Sequence, residues 1–262
     1  MSKVHFLGTG GSVATIDRDN TSFLLNHNGR LILVDCPGSV FQKIKKLGFD
    51  PAEIRSLFVT HIHPDHIYGL PALVHSLMLK DMVLDLYGSV LTVEFCRRIL
   101  DLFHLLEAKI KCRVNFIPLE PGNEFALDDS LFCRAASVPH SRSSLAFLFS
   151  LLPEDIRLLY SGDTPIHPPL LKVAANIEYL IHDCSAPSRF FKEFPSLRKM
   201  HTDSLSLGKF AQNAGIKCLI PCHFFGELDY PVFELEQEIS AHYKGKLLIP
   251  TDLMTIALVL EE

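Results

Sequence analysis

Leu57-Phe58-Val59-Thr60-His61-Ile62-His63-Pro64-Asp65-His66 runs an apolar strand straight into four metal-capable side chains. A strand that ends in a loop throws such side chains into one pocket. Alternation along an extended segment sets His61, His63 and Asp65 on one side, and a helix starting near Asp65 turns His66 inward. Imidazole and carboxylate suit zinc, with iron and manganese close behind. Four such groups in six residues rarely serve packing, so the segment reads as a metal site with room for two ions.

Working outward, the other strand ends carry matching chemistry. Val138-Pro139-His140, Leu159-Tyr160-Ser161-Gly162-Asp163 and Ile220-Pro221-Cys222-His223 each leave an apolar run at a histidine or an aspartate. All would project at one edge of a layered fold. A two-ion site needs about seven protein groups with one carboxylate shared, and open positions for water and substrate. His61, His63, Asp65, His66, His140, Asp163 and His223 meet that count.

The remaining pattern alternates. Thr21 to Leu25 and Leu31 to Val34 form a hairpin pair about Asn28-Gly29, a strong turn signal. Helical spacing follows over 65–79, with Leu70, Leu73, Val74 and Leu77 on one face, and again over 90–106. A β-rich stretch takes in 131–138, 145–151 and 156–160. A second alternation sets strands at 179–181, 217–221 and 246–250 against helices at 204–214 and 232–242, and a last strand covers 255–260. Pro165 to Pro169 reads as a loop. The expectation is an α/β (α+β) protein, a four-layer αββα sandwich that occupies 1–262 as a single domain.

Composition sets limits. The 262 residues are 48% hydrophobic, enough for one large core, and the net charge of −5 argues against a nucleic-acid coat spread over the whole surface. No apolar run spans a bilayer, and no signal peptide is read at the start. Seven cysteines without paired spacing point to a reducing cytoplasm.

The His-x-His-x-Asp-His motif, Ser161-Gly162-Asp163-Thr164, and the opening Leu7-Gly8-Thr9-Gly10-Gly11-Ser12 with Asn20-Thr21-Ser22 resemble the metallo-β-lactamase superfamily, and within it the ribonuclease Z group and its phosphodiesterase relatives. The likeness covers essentially the whole chain. It implies a zinc-dependent hydrolase that cleaves phosphodiesters through a metal-bridging hydroxide. His61, His63 and His140 would hold one zinc, Asp65, His66 and His223 the other, and Asp163 would bridge them; Mn2+ or Fe2+ could substitute.

It further implies a proton-shuttling pair, His201 and Asp183, with Asp183 standing where that group usually carries Glu. Asp65, His201 and Asp183 are thus the expected catalytic residues. Asp35 and Asp252 are candidate acceptors for the ligand imidazoles, and the Gly8 to Ser12 amides or the Thr21 and Ser22 hydroxyls candidates for a phosphate pocket.

Two features depart from ribonuclease Z. His140 and Asp163 are only 23 positions apart, leaving no room for an inserted tRNA-gripping arm, and Phe224-Phe225-Gly226 replaces that group's usual segment. The substrate is therefore read as a phosphodiester, either tRNA at its 3′ end or a small or cyclic nucleotide. The resemblance also implies a homodimer. Competing readings are a hydrolase of a lactone, thioester, sulfate ester or β-lactam on the same fold, and a non-catalytic metal-binding sensor.

Overall fold

The computed structural model describes residues 1–260. The first half runs β1 (Ser2–Gly8), β2 (Ser22–His27), β3 (Arg30–Val34), α1 (Val40–Lys46), β4 (Ser56–Phe58), α2 (Pro64–Ile67), α3 (Leu70–Ser76), β5 (Met82–Gly88), α4 (Val90–Leu102) and β6 (Cys112–Pro118). The second half opens as a meander, β7 (Glu124–Asp128), β8 (Leu131–Ser137), β9 (Leu145–Leu151) and β10 (Ile156–Tyr160). It continues with α5 (Pro168–Val173), β11 (Tyr179–Asp183), α6 (Ser188–Glu193), α7 (Ser204–Ala214), β12 (Cys218–Cys222), α8 (Val232–Ser240), β13 (Lys246–Leu247) and β14 (Thr255–Leu258).

Two seven-stranded sheets result, ordered β14-β1-β2-β3-β4-β5-β6 and β13-β12-β11-β10-β9-β8-β7. Alternation explains why they stack. In β2, Phe23 and Leu25 point between the sheets while Leu24 points outward. In β10, Leu158 and Tyr160 point inward and Leu159 outward. The inward set from both sheets makes one shared core, in which Phe58 stacks on Tyr87 at 4.6 Å and meets Phe147 and Phe149 edge-on. Outward residues of the first sheet pack under α1, α3 and α4, and those of the second under α5, α7 and α8. This is the four-layer αββα arrangement. Strands buried on both faces read as unbroken apolar runs, as Leu31 to Val34 does.

Local chemistry sets the ends. Asn28 and Gly29 both take positive φ, 52° and 86°, as a two-residue hairpin turn requires. Asp203 caps α7 by accepting from the Ser206 N–H at 2.8 Å, and Gly215 closes that helix at φ 65°.

Some elements differ from the sequence reading. The helix expected over 65–79 is two short ones, split at Gly69. The Gly69 N–H bonds the Cys36 carbonyl, and a Cβ there would lie 2.0 Å from the Pro37 oxygen, so the chain must turn against a neighbouring loop. The helix expected over 90–106 stops at Leu102. A short helix, α5, starts inside the proline-rich stretch because Pro168 and Pro169 fit its first turn. The strand expected over 246–250 pairs only at Lys246 and Leu247.

Strand direction settles where the chemistry gathers. β3, β4, β8, β10, β11 and β12 all leave their sheets toward one rim, where the ligand candidates lie. The turns at Asn28-Gly29, Asp129-Ser130 and Pro153 to Asp155 lie at the other ends of those strands. They draw together there: His27 bonds Ser130 at 3.1 Å, and the Met1 amine lies 3.9 Å from Glu154.

Candidate metal centre

β4 ends at Phe58, and His63, with an extended ψ of 146°, immediately precedes α2. Pro64 at the first helical position starts that helix one residue before Asp65. Asp65 is thereby carried into a second group with His223, while the His66 ring stays against His61, centroids 4.1 Å apart. The expected placing of Asp65 beside His61 and His63 by strand alternation is not what forms: the early helix puts it with His66 and His223.

Two clusters result. His61, His63, His140 and Asp163 form one, and Asp65, His66, Asp163 and His223 the other, with the ligand atoms of each group within 4.8 Å of one another. Asp163 belongs to both. Its Oδ2 lies 3.1 Å from His223 Nε2, 3.4 Å from His66 Nε2, 3.7 Å from His140 Nε2 and 3.8 Å from His61 Nε2. His63 Nδ1 sits 2.9 Å from His61 Nε2 and 3.0 Å from His140 Nε2. Nitrogens sharing one tetrahedral ion at about 2.0–2.1 Å lie roughly 3.3 Å apart, close to these separations.

The surroundings fix which ring nitrogen faces inward. His66 Nδ1 donates to Asp35 Oδ2 at 2.8 Å, and His140 Nδ1 donates to the Met200 carbonyl at 2.8 Å. Carboxylate and carbonyl can only accept, so both rings turn an Nε2 lone pair toward Asp163. His66 Nε2, His223 Nε2 and Asp163 Oδ1 are buried with no hydrogen-bond partner. Buried polar atoms without partners are costly, and a cation would satisfy all three. The donor set of imidazoles and carboxylates therefore fits divalent ions.

Electrostatics agree. Burial raises the Asp65 carboxyl, but His66 and His223 outweigh it and hold it at about 2. Burial lowers His223, yet Asp163 and Asp65 push it up to about 10. His66 is raised for the same reason, while burial and its imidazole neighbours push His61 down. The carboxylates thus demand positive charge at this spot.

Backbone conformation is spent here too. Asp35 and His223 take φ of 56° and 65°, values uncommon without glycine. Gly162, at φ 57°, turns the chain from β10 to Asp163 where a Cβ would press on Thr60 at 3.0 Å.

A third group adjoins the two clusters. His201 Nδ1 bonds Asp183 Oδ2 at 2.9 Å, so the aspartate reaches despite its shorter side chain. Asp183 is fully buried and also accepts from the Thr164 N–H at 3.1 Å and the Ser185 hydroxyl at 2.7 Å. The His201 ring stacks on His223 at 5.2 Å and meets Phe225 edge-on at 5.1 Å.

Several expectations are corrected. The Thr9 and Gly10 amides bond Asp19 and the Gly11 amide bonds Phe224, so they are not free to cradle a phosphate. The Thr21 hydroxyl donates to the Gly10 carbonyl and accepts from the His223 N–H at 3.0 Å, which holds that ligand candidate instead. Asp252 accepts from Thr9, the Asp19 amide and Lys43, not from an imidazole. Other residues near the site are structural, as their types lead one to expect: His182 is buried against Phe210, and Cys36 and Cys222 are buried thiols outside both clusters. Sequence reading missed Thr60, Tyr160 and Ser185. Thr60 and Tyr160 meet Asp35 from 25 and 125 positions away, and Ser185 meets Asp183 through a loop shape that the residue types do not announce.

This fold and site define a metallo-β-lactamase-type protein. It aligns with the metallo-β-lactamase fold protein YhfI from Bacillus subtilis at a TM-score of 0.80 and 18% identity, covering 98% of this chain and 100% of that one. Human tRNase Z, short form, aligns at 0.78 and 21%, with 98% and 100% covered. A ribonuclease Z of Methanosarcina acetivorans is 25% identical over 98% of both chains. The family described as Anti-Pycsar protein Apyc1 matches residues 2–204, and the chain belongs to that family.

Proposed function

We propose that this chain is a phosphodiester hydrolase dependent on two divalent ions, zinc in the first instance. The observation that carries the reading is the pair of ligand clusters joined at Asp163, with the His201–Asp183 pair beside them. His61, His63, His140 and Asp163 would hold one ion, and Asp65, His66, Asp163 and His223 the other. Bound there, the ions supply an activated water as nucleophile and neutralise charge on the phosphoryl oxygens.

The protein's own groups do the rest. Asp35 and the Met200 carbonyl keep His66 and His140 in the tautomer that offers Nε2. Asp183 fixes the Nδ1 side of His201, leaving Nε2 to hand a proton to the leaving oxygen. The ribonuclease Z likeness of full-length relatives supports a phosphodiester substrate. Between His140 and Asp163 the chain holds only β9, β10 and their turns. With no extra segment there to grip a tRNA, the reading favours a small or cyclic phosphodiester.

Nothing in the described residues forms a helix long and apolar enough to cross a membrane, and the seven cysteines are buried with no disulfide among the described residues. A cytoplasmic setting is consistent with both. A homodimer is the assembly we favour, with the exposed Leu91, Phe95 and Leu102 of α4 as its contact.

The test is hydrolysis of bis(p-nitrophenyl) phosphate by zinc-loaded protein, beside Asp65→Ala and a chelated control. Cyclic nucleotides, a 3′-extended precursor tRNA, a lactone and a sulfate ester run in parallel. Diester turnover that vanishes in both controls is expected. Turnover insensitive to chelation would end the metal reading, and turnover of the lactone or sulfate alone would replace the substrate class.

A further inference from the structure

The candidate ligands come from two sheets. His61, His63, Asp65 and His66 follow β4 of the first; His140, Asp163 and His223 follow β8, β10 and β12 of the second. The sheets meet mainly through apolar side chains, and such contacts are not directional. A site assembled across that seam needs a directional tie, or its two halves would shift by tenths of an ångström.

One such tie ends on a partner of a ligand imidazole. Tyr160, the last residue of β10, points inward across the core and donates its hydroxyl to Asp35 Oδ2 at 3.1 Å. The same oxygen accepts from His66 Nδ1 at 2.8 Å. Asp35 Oδ1 accepts from the Thr60 N–H at 2.8 Å and the Thr60 hydroxyl at 3.0 Å. Among these donors only Tyr160 comes from the second sheet. Both Tyr160 and Asp35 are buried, so neither can turn to water instead. Asp163 lies three residues beyond Tyr160 on the same exit. The Tyr160 ring is held edge-on by Phe23 at 5.1 Å. A backbone bond from Leu145 to the Thr60 carbonyl, 3.0 Å, also spans the seam but touches no imidazole.

We propose that Tyr160 is a positioning residue that, through Asp35, sets His66 against Asp163 and so tunes the half-site of Asp65, His66, Asp163 and His223. This rests on the metal reading given above. The hydroxyl bears most on that half-site: of the imidazoles, His66 bonds Asp35 directly, whereas His61 meets it through the Thr60 hydroxyl, 3.1 Å from its Nδ1. The chemistry is that of an outer partner orienting a ligand, whose loss weakens metal binding by about 10- to 100-fold.

The experiment is stepwise zinc titration of the full chain against a competing chelator, for the wild type, Tyr160→Phe and Phe23→Leu. The His66 Nδ1–H proton resonance and urea unfolding of the metal-free forms are followed alongside. Wild type is expected to bind two ions. In Tyr160→Phe one ion weakens by at least about 10-fold, the other by clearly less, and the His66 resonance shifts or broadens. Phe23→Leu, which loosens packing but keeps the hydrogen bond, is expected to lower stability without separating the two affinities.

Two unchanged affinities in Tyr160→Phe would overturn the inference and leave the metal reading intact. So would an equal loss at both sites, or the same loss in Phe23→Leu. A wild type that binds fewer than two ions would overturn both.

Discussion

His201 joins the centre through a single polar bond, to Asp183 at 2.9 Å, and otherwise through ring contacts with His223, His140 and Phe225. Removing the imidazole therefore takes away a proton donor without touching the two clusters that share Asp163. His201→Ala is expected to lower kcat by about a hundred- to ten-thousand-fold while zinc content, read by mass spectrometry of the loaded protein, stays at the wild-type value. Loss of zinc along with activity would recast His201 as a ligand, a role its place with Asp183 and His223 makes worth excluding. At this scale the sequence was most legible where the chemistry is local. Four groups in six residues announce themselves, and a strand that ends on Asp or His adds the rest. Tyr160 was not legible as a partner of Asp35, because 125 positions separate them and a tyrosine ending an apolar run looks like ordinary core.

Elements around the site are held by side chains that satisfy helix ends. Glu238 on α8 accepts from the Ser188 N–H at 2.8 Å and the Ser188 hydroxyl at 2.7 Å, both at the start of α6. It also accepts from the hydroxyl of Ser204, the first residue of α7. Burial raises the Glu238 carboxyl, but these donors outweigh it and the net shift is downward. A depressed folded value means its contribution is whole above the unfolded glutamate value, about 4.3, and fades as pH falls through the folded value. Glu238→Gln is expected to be less stable than wild type at pH 7, with the gap narrowing below about pH 4.3. Urea unfolding at several pH values reads this directly, and a gap independent of pH would remove the carboxylate from the account. The hairpin at Asn28-Gly29 and the bounds of β9, β10 and α7 could be read from turn chemistry and alternation. The break at Gly69 could not, because its cause is the Cys36-Pro37 backbone pressing from another loop.

Over the whole molecule, the centre lies where two layers close on each other, so ion binding and folding are linked. An ion that binds only the folded chain stabilises it by about 2.7 kcal/mol when free at a hundred times its Kd. In a chain of this size each kcal/mol moves Tm by roughly 2–4 °C. Chelation is therefore expected to lower Tm by several degrees and zinc to restore it, as scanning calorimetry would record. An unchanged Tm would mean that no ion stabilises the folded chain. The αββα layering was legible because a β-rich stretch followed by strand–helix alternation occurs twice along the chain. The pairing of β6 with β5, and of β13 with β12, depended on contacts between segments that no periodicity in one segment reveals.

The two rims of the sandwich divide the labour of the chain. Ligand candidates leave the strands at one rim, while the turns at Asn28-Gly29, Asp129-Ser130 and Pro153 to Asp155 crowd the other. Solvent-facing turns tolerate nicks, insertions and new termini far better than packed strands do. A fluorescent module spliced between Asn28 and Gly29 is expected to leave diester turnover and zinc stoichiometry within about two-fold of wild type, as tolerance at such turns implies. The same splice between Gly10 and Gly11 is expected to abolish both. Evolution has the same freedom as the protein engineer: domains, tags and tethers can be grafted onto the far rim, and the reaction can be delivered to new places in a cell without being rebuilt.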